Sequence, residues 1–443
     1  MPNSSSFPVK KLKIFQLAAI IFLTVSGGPY GLEPLLTYAG NGSLLLLMIV
    51  PLLWDVPTIF VVLELNSMMP VTGGYYQWVK RALGLRWAFY EGWWTWLYTF
   101  VDLAIYPVLF VEYAAFFFPQ IEMYKIPICL LIIWAGAALN ILGIVPVGKT
   151  SLVLGALVLA PFAILFATAI SHQMLTFNIP TPSLKGISFS SLGLALYTVM
   201  WNFLGWDNVT TYAEEVQHPV RSYIKSISIS FGLVFIFYFL AVITAQQSGI
   251  DLNVLNDVGF PVLGVLIGGQ WLGALLSFGG MASALGLFSA VLLSVSRVPE
   301  VMSEDKLLPA KLHELHPKFK TPYVSIIVCA LFVSVMILWT FADLLVIDIT
   351  IYGAGLFLEF ISLIKLRIKA PHEKRPFKIP FGIAGICVML LLPVGVYFIA
   401  LGGAFSEETN MLTPALFAVG ALLTAEVGWQ FIIWRRKKMI NKI

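Results

Sequence analysis

Long apolar stretches separated by short polar segments form the dominant pattern of this chain. A helix that crosses a bilayer needs about 20 mainly apolar residues, and the sequence contains about twelve such stretches. They lie near residues 14–38, 42–66, 85–117, 124–143, 147–171, 190–213, 222–246, 270–298, 322–341, 343–365, 380–401 and 411–434. The pattern predicts an all-α membrane protein in which residues 1–443 form a single transmembrane domain.

The composition agrees with a lipid environment. The chain is 59% hydrophobic and 11% charged, whereas soluble globular domains carry about 25% charged residues. The formal net charge of +4 is too small to favour a nucleic-acid partner. The three cysteines are far apart in sequence and indicate neither a disulfide framework nor a metal site.

The basic residues predict the orientation of the spans. When the connections are assigned alternately to two sides, every Lys and Arg except Lys125 and Lys185 falls on one side. Such an excess is typical of the cytoplasmic face. We therefore expect a cell membrane location, inner or plasma membrane, with both termini in the cytoplasm.

Two of the predicted spans are interrupted. The run Ser26-Gly27-Gly28-Pro29-Tyr30-Gly31 in the first span cannot continue an α-helix without loss. The sixth span has a similar interruption over residues 202–208. Matched breaks five spans apart predict a leucine-transporter-like pair of inverted repeats with a substrate site at the breaks, although each break could also be an ordinary packing kink. The repeats would cover 14–171 and 190–365, and 380–434 would supply two additional helices.

Acidic residues lie inside the predicted spans, and salt bridges within the protein cannot account for all of them. They are Glu33, Asp55, Glu64, Glu91, Asp102, Glu112, Asp207, Glu214, Asp348, Glu359 and Glu426. Charged side chains are costly in a bilayer and commonly mark a substrate or proton pathway. Either protonation or a cationic substrate could neutralise them. For Glu91, Glu112, Glu214 and Glu426 we expect positions near a membrane interface.

Three of these acids are the best candidates for attracting a substrate ammonium group. Asp102 is about midway along the third span, Asp207 lies within the second break, and Glu33 follows the first break. Glu359 in the tenth span is a further candidate, but it could equally form a hydrogen bond with another helix. Asp102, Asp207 and Glu359 are the candidates for carrying a coupling proton.

The first break also indicates the type of substrate. Exposed N–H groups at a half-helix N-terminus suit a carboxylate, whereas unwound carbonyls suit a cation. Pro29 removes one N–H group from the break, which favours an amine without a carboxylate. Aromatic faces near the breaks could hold an ammonium group. The predicted substrate site comprises Ser26, Gly27, Gly28, Tyr30, Gly31, Glu33, Asp102, Tyr106, Trp201, Asn202, Phe203, Gly205, Trp206 and Asp207.

These motifs resemble the amino acid–polyamine–organocation transporter superfamily over nearly the whole chain. The first break, residues 64–75 and residues 102–110 resemble the polyamine uptake transporters in particular. The resemblance implies alternating access and proton-driven uptake of amines such as putrescine or spermidine. One difference is that residues 155–160, in the middle of the fifth span, contain no lysine. Several permeases of the superfamily have a lysine there, so an acid could supply the coupling in this chain.

We therefore expect a secondary active transporter, a proton symporter that imports polyamines or related organic cations. A permease or exchanger for zwitterionic or cationic amino acids is the alternative, and a membrane sensor that does not transport is a third possibility. The histidines lie in loops or at span ends, and no nucleophile–base signature stands out. We accordingly expect no catalytic residue, cofactor or metal.

Overall fold

The computed structural model describes residues 11–176, 181, 183–338, 341–406 and 412–440. For residues 341–346, 412–415 and 439–440 it describes the backbone only. Lys10 and Lys442 of the predicted cytoplasmic set lie outside this part of the chain, as do positions 339–340 and 411 of two predicted spans.

The described chain folds into α-helices joined by short turns. In chain order they are α1 (Ile14–Val25), α2 (Glu33–Ala39), α3 (Ser43–Val50), α4 (Val56–Met68), α5 (Gly74–Leu83), α6 (Leu85–Ala114), α7 (Lys125–Ile141), α8 (Ile144–Ser171), α9 (Phe189–Trp201), α10 (Pro219–Gln247), α11 (Leu252–Val258), α12 (Phe260–Gly268), α13 (Gln270–Val295), α14 (Arg297–Glu304), α15 (Tyr323–Met336), α16 (Phe341–Lys369), α17 (Ile383–Ala404) and α18 (Leu412–Ile440). Within the described ranges the β structure is limited to two isolated bridges, Leu12 with Val216 and Thr72 with Tyr212.

The predicted all-α membrane fold is confirmed. Among the described residues, nine segments are long and apolar enough to span a bilayer, and three further apolar helices are shorter. Two of the shorter helices, α1 and α9, are those that end at the predicted breaks. The division into two inverted repeats stays a prediction.

Both interruptions are present in the backbone. Helix α1 ends at Val25, and Gly27, Gly28 and Gly31 adopt φ values of 62°, 94° and 88°, which L-residues with a side chain rarely adopt. After α9 the chain continues only as 3-10 turns at Asn208–Thr210 and Ala213–Glu215. The predicted sixth span over 190–213 is therefore helical only in its first part.

The fraction of each helix that is buried shows which helices lie at the centre of the molecule. Helix α6 and the segment Gln270–Glu304 are each 83% buried over their most apolar window, whereas the corresponding window of the last helix is 22% buried. Helices α6, α13 and α16 pack around the two breaks, and α18 lies at the periphery. The breaks are thus surrounded by protein, as unwound backbone at membrane depth requires.

Several short helices lie at the two ends of the bundle. One end of the bundle carries the connections that hold most of the Lys and Arg residues, and we call it the basic end. There, α5 and the C-terminal end of α14 are joined through the Lys80–Asp305 ion pair, with an N–O distance of 2.6 Å. At the opposite end, α11 and α12 pack on α2 and α13 respectively. The apolar pattern did not predict these helices, because none is long enough to span a membrane.

Candidate functional site

A small central cavity lies where the two breaks meet α6 and α13. Its volume is about 10 Å³, about enough for one water molecule. The lining residues are Thr24, Val25, Ser26, Asp102, Tyr106, Trp201, Asn202, Leu204, Asn208 and Leu287. The structure therefore brings together five of the predicted site residues at membrane depth.

Asp102 is the acidic residue of the central cavity and is 3% exposed. Its Oδ1 accepts a hydrogen bond of 2.6 Å from the Tyr106 hydroxyl and one of 3.4 Å from Nε1 of Trp201. Asp348 on α16 lies close enough to interact electrostatically with Asp102. Both carboxylate oxygens of Asp348 are buried without a hydrogen-bond partner. A cation bound between Asp102 and Asp348 would satisfy both carboxyls.

Side chains from other parts of the bundle form hydrogen bonds with the residues of the first break. The Tyr238 hydroxyl lies 2.7 Å from Oγ of Ser26 and 3.0 Å from the carbonyl oxygen of Asn202, so it connects the two breaks. The Asn202 amide donates to the carbonyl of Gly31 at 3.0 Å, and Ser283 donates to the carbonyl of Gly27 at 2.5 Å. Two carbonyls of the break thus already accept one hydrogen bond each, and each keeps its second lone pair.

Four N–H groups of the first break also donate hydrogen bonds within the protein. Those of Ser26 and Gly27 donate to the carbonyl of Phe22, each at 3.0 Å. Those of Gly28 and Gly31 donate to Oγ of Ser26 and Oε2 of Glu33, at 3.0 and 2.7 Å. Since Pro29 has no N–H group, the break presents few donors for a substrate carboxylate.

A second, larger cavity opens at the end opposite to the basic end. Its volume is about 540 Å³, and its walls come from α2, the second half of α6 and the segment before α12. Its acidic lining residues are Glu33, Glu112, Glu122 and Asp257, and none of its lining residues is Lys or Arg. We call it the acidic outer cavity. Lys125 interacts electrostatically with Glu112 without lining this cavity.

Glu33 is the deepest acid of the acidic outer cavity and is 4% exposed. Its carboxylate accepts hydrogen bonds from the N–H of Gly31, the N–H of Phe260 and the Tyr113 hydroxyl, at 2.7, 3.2 and 3.3 Å. Glu33 therefore ties the start of α2 to the start of α12. Because these donors occupy both oxygens, Glu33 is less available to an ammonium group than Asp102.

Trp201 separates the two cavities. Its indole contacts Asp102 on the central side. On the other side it packs so closely on Gly31 that a Cβ atom there would lie 2.8 Å from the ring. Because Gly31 lines the acidic outer cavity, the Trp201 indole lies between Asp102 and a residue of that cavity.

The other predicted site residues line neither cavity. Tyr30 donates to the carbonyl of Leu276 at 2.6 Å, and Phe203 packs edge-on against Tyr238. Trp206 donates from Nε1 to Oδ1 of Asp55 at 3.2 Å. Gly28 packs against Val158 and Gly205 adopts a φ of 102°.

Asp207 lies apart from Asp102, in contact with α16. Its Oδ1 accepts a hydrogen bond of 2.7 Å from the Tyr352 hydroxyl. Glu91 is 1% exposed and lies at the contact between α6 and α16, and its expected position near a membrane interface stays a prediction. In the described chain, no group of three or more His, Cys, Asp or Glu side chains is arranged to hold a metal ion.

Sequence reasoning missed the contributions of Tyr238, Ser283 and Asn208. Each is an isolated polar residue in an apolar stretch or break, and the first two lie on spans that carry no acid. Only a count of polar residues in the seventh and eighth spans could have suggested Tyr238 and Ser283, whereas Asn208 lies within the predicted second break. Asp348 was recognised as an acid within a span, but nothing in the sequence paired it with Asp102.

Comparison with known proteins identifies the family. The amino acid permease family model matches residues 12–422. The polyamine transporter RMV1 of Arabidopsis thaliana is 31% identical over 420 residues, which cover 94% of this chain and 84% of that protein. The polyamine transporter PUT1 of Oryza sativa subsp. japonica is 29% identical over 427 residues, covering 95% and 77%.

A bacterial relative is more distant. The serine/threonine exchanger SteT of Bacillus subtilis is 22% identical over 422 residues, which cover 89% of this chain and 91% of that protein. Two of these relatives are thus named as polyamine transporters and the third as an amino acid exchanger. Together with the apolar helices and the buried site at the breaks, these matches show that the chain belongs to the amino acid permease family and is a multi-pass membrane transporter of a small organic solute.

Proposed function

We propose that this transporter imports polyamines or related organic cations across a cell membrane by alternating access. The observation that carries the proposal is a pair of cavities, the acidic outer cavity and the central cavity at Asp102, in which the described lining residues include carboxyls and no Lys or Arg. We propose that the substrate passes from the first to the second when Trp201 moves. A cavity lined by one sign of charge raises the local concentration of ions of the opposite sign.

The first break supports an amine rather than an amino acid. Four of its N–H groups donate within the protein, and Pro29 has none to donate. An amino acid would need some of these donors for its carboxylate. A polyamine needs only acceptors, which the carbonyls of Gly27 and Gly31 and the carboxylate of Asp102 supply.

The ammonium group would bind between Asp102 and the ring faces of Tyr106 and Trp201. Ammonium over an aromatic face gains about 0.5–2 kcal/mol, depending on how far it is desolvated. Because the central cavity holds only about 10 Å³, Trp201 must move before a substrate can enter. Asp207, Tyr30, Phe203 and Trp206 would act around this site by fixing the breaks.

We further propose that the basic end faces the cytoplasm and that import is coupled to protons. The excess of Lys and Arg at that end supports the orientation. A membrane potential that is negative inside favours entry of a cation by about 2.3 kcal/mol per charge per 100 mV. Asp102, Asp207 and Glu359 are the candidate proton carriers, and the two five-helix repeats would supply the moving parts.

Amino acid exchange is the second candidate function. It is favoured by the match to the serine/threonine exchanger and by the glycines of the first break. In that case the N–H groups of Gly28 and Gly31 would have to leave Ser26 and Glu33 when the substrate carboxylate binds.

Uptake of labelled spermidine into proteoliposomes tests the proposal. We expect saturable uptake that increases with an inward proton gradient and is insensitive to excess serine or leucine. Asp102→Asn should reduce uptake at least tenfold, because it removes the charge that pairs with the ammonium group. Amino acid exchange without spermidine uptake would contradict the proposal.

The matched control is Glu426→Gln. Glu426 pairs with Arg86, but both side chains are exposed, at 40% and 50%. Exposed ion pairs contribute little to stability because water screens them, so this variant should retain wild-type uptake. An equal loss in both variants would indicate a general effect of removing acids.

A further inference from the structure

A second group of buried carboxyls lies on the basic-end side of the central cavity. Glu91 on α6, Asp207 in the second break and Glu359 on α16 are 1%, 3% and 0% exposed. Glu359 interacts electrostatically with both other acids. Helices α6 and α16 approach closely here, since a Cβ atom on Gly355 would lie 3.0 Å from Oε1 of Glu91.

Among the described residues, no Lys or Arg forms an ion pair with these carboxyls. Oε2 of Glu91 is buried without a hydrogen-bond partner. The buried carboxyls of Glu359 and Asp207 lie close enough to share a hydrogen-bonded proton. The other titratable groups that face the three acids are the hydroxyls of Tyr75, Tyr98 and Tyr352. An uncompensated buried charge is so costly that such groups take up protons instead.

The acids form two levels along the contact between α6 and α16. Asp102 and Asp348 form the central level, and Glu91 and Glu359 form the lower level. On each helix the two levels are 11 residues apart in sequence (102 − 91 and 359 − 348), or about 16 Å at 1.5 Å per residue. Tyr352 and Asp207, joined by their hydrogen bond, lie between the levels.

We propose that the α6–α16 contact conducts the coupling proton, and that Glu91 and Glu359 share that proton on its way to the basic end. This inference rests on the proposed function. When an ammonium group binds, Asp102 or Asp348 loses its proton, which transfers through Asp207 to the lower pair. Each transfer breaks one O–H bond and forms another. The lower pair releases the proton to the cytoplasm when the basic end opens.

The test measures proton influx and spermidine influx together in proteoliposomes that contain a trapped pH-sensitive dye, with the membrane potential clamped at zero. The key variant is Glu91→Gln. We expect spermidine–spermidine exchange to persist, because Glu91 does not line the central cavity. Proton influx upon spermidine addition should fall to the background of empty liposomes. Glu91→Gln/Glu359→Gln should behave in the same way, Glu91→Asp should restore proton influx, and Glu426→Gln should keep the wild-type ratio of protons to spermidine.

The other outcomes overturn the inference. A wild-type ratio in Glu91→Gln would show that protons travel elsewhere, and a loss of exchange in that variant would assign Glu91 a structural role. Spermidine import by the wild-type protein without proton influx would remove the proton route and the proposed proton coupling but leave the proposed import of polyamines intact. If the wild-type protein neither exchanges nor imports spermidine, the proposed function fails, and this inference fails with it.

Discussion

At the residue scale, the contact between Trp201 and Gly31 lies between the acidic outer cavity and Asp102. Gly31 has a φ of 88°, which residues with a side chain rarely adopt, and a Cβ atom there would clash with the Trp201 indole. Glycine therefore suits this position for two reasons, its backbone conformation and its packing. The indole can occupy its place beside Asp102 only because Gly31 has no Cβ atom.

This contact yields a prediction for Gly31→Ala. The variant should bind spermidine at least tenfold more weakly, because its new methyl group displaces Trp201 from the position in which it contacts Asp102. Binding is measured on the purified protein with labelled spermidine, and thermal unfolding is measured in parallel.

Gly186→Ala is the matched control. Gly186 has almost the same backbone angle, a φ of 85°, but nothing lies within 4 Å of the added atom. Both variants should lose about 1–2 kcal/mol of stability from the left-handed backbone conformation. If both variants also lost binding equally, the space beside Trp201 would not be the cause.

At the scale of elements, the connection after α16 is fastened to α4 by an ion-pair network. Glu64 is 0% exposed and pairs with Arg367 and Arg375, whose side chains are 9% and 3% exposed. The N–H of Ile379 donates to the same carboxylate at 2.8 Å. The network therefore fixes the loop between α16 and α17 to the basic end of the second span.

We expect Glu64→Gln to destabilise the protein strongly. It leaves two buried guanidinium groups without a counter-charge, and loss of one partner from a buried pair costs about 3–5 kcal/mol. Glu373→Gln removes the partner of Arg81, which is 42% exposed, and should cost about 1 kcal/mol or less. Thermal unfolding of the two purified variants in the same detergent compares these costs, and similar unfolding temperatures would contradict the assignment.

Hydrophobic patterning could predict the spans but not the short elements between them. Each of the predicted stretches contains a helix, because about 20 apolar residues have few alternatives in a bilayer. Helices α5, α11, α12 and α14 are too short to produce that signal. The break after Trp201 was predictable from its polar residues and Gly205, whereas the 3-10 turns that follow depend on contacts with other spans.

Site residues were predictable where they lie at a break or bear a charge. Asp102 and Trp201 were identified in this way and line the central cavity. The proximity of Glu91 and Glu359 was not predictable, because the two residues are distant in sequence and only the packing of α6 on α16 brings them together. Trp206 was included because it lies next to a break, but its indole turns toward Asp55.

At the scale of the whole molecule, the two ends differ in their openness. At the basic end, the backbone of Leu12 pairs with that of Glu215 and Gln217, and Arg297 pairs with the Glu215 carboxylate. These contacts join the first, sixth and eighth spans at this end. The acidic outer cavity opens at the other end, and Trp201 lies between that cavity and Asp102.

The central claim is that this transporter recognises an amine without a carboxylate. Putrescine and ornithine provide the most direct test, because they share the same carbon–nitrogen chain and differ by one carboxyl group. We would measure the displacement of labelled spermidine from the purified protein by each compound. Displacement by putrescine at concentrations at least tenfold lower than those required for ornithine is the predicted result. Equal or stronger displacement by ornithine would contradict the account and show that the first break accepts a carboxylate despite Pro29.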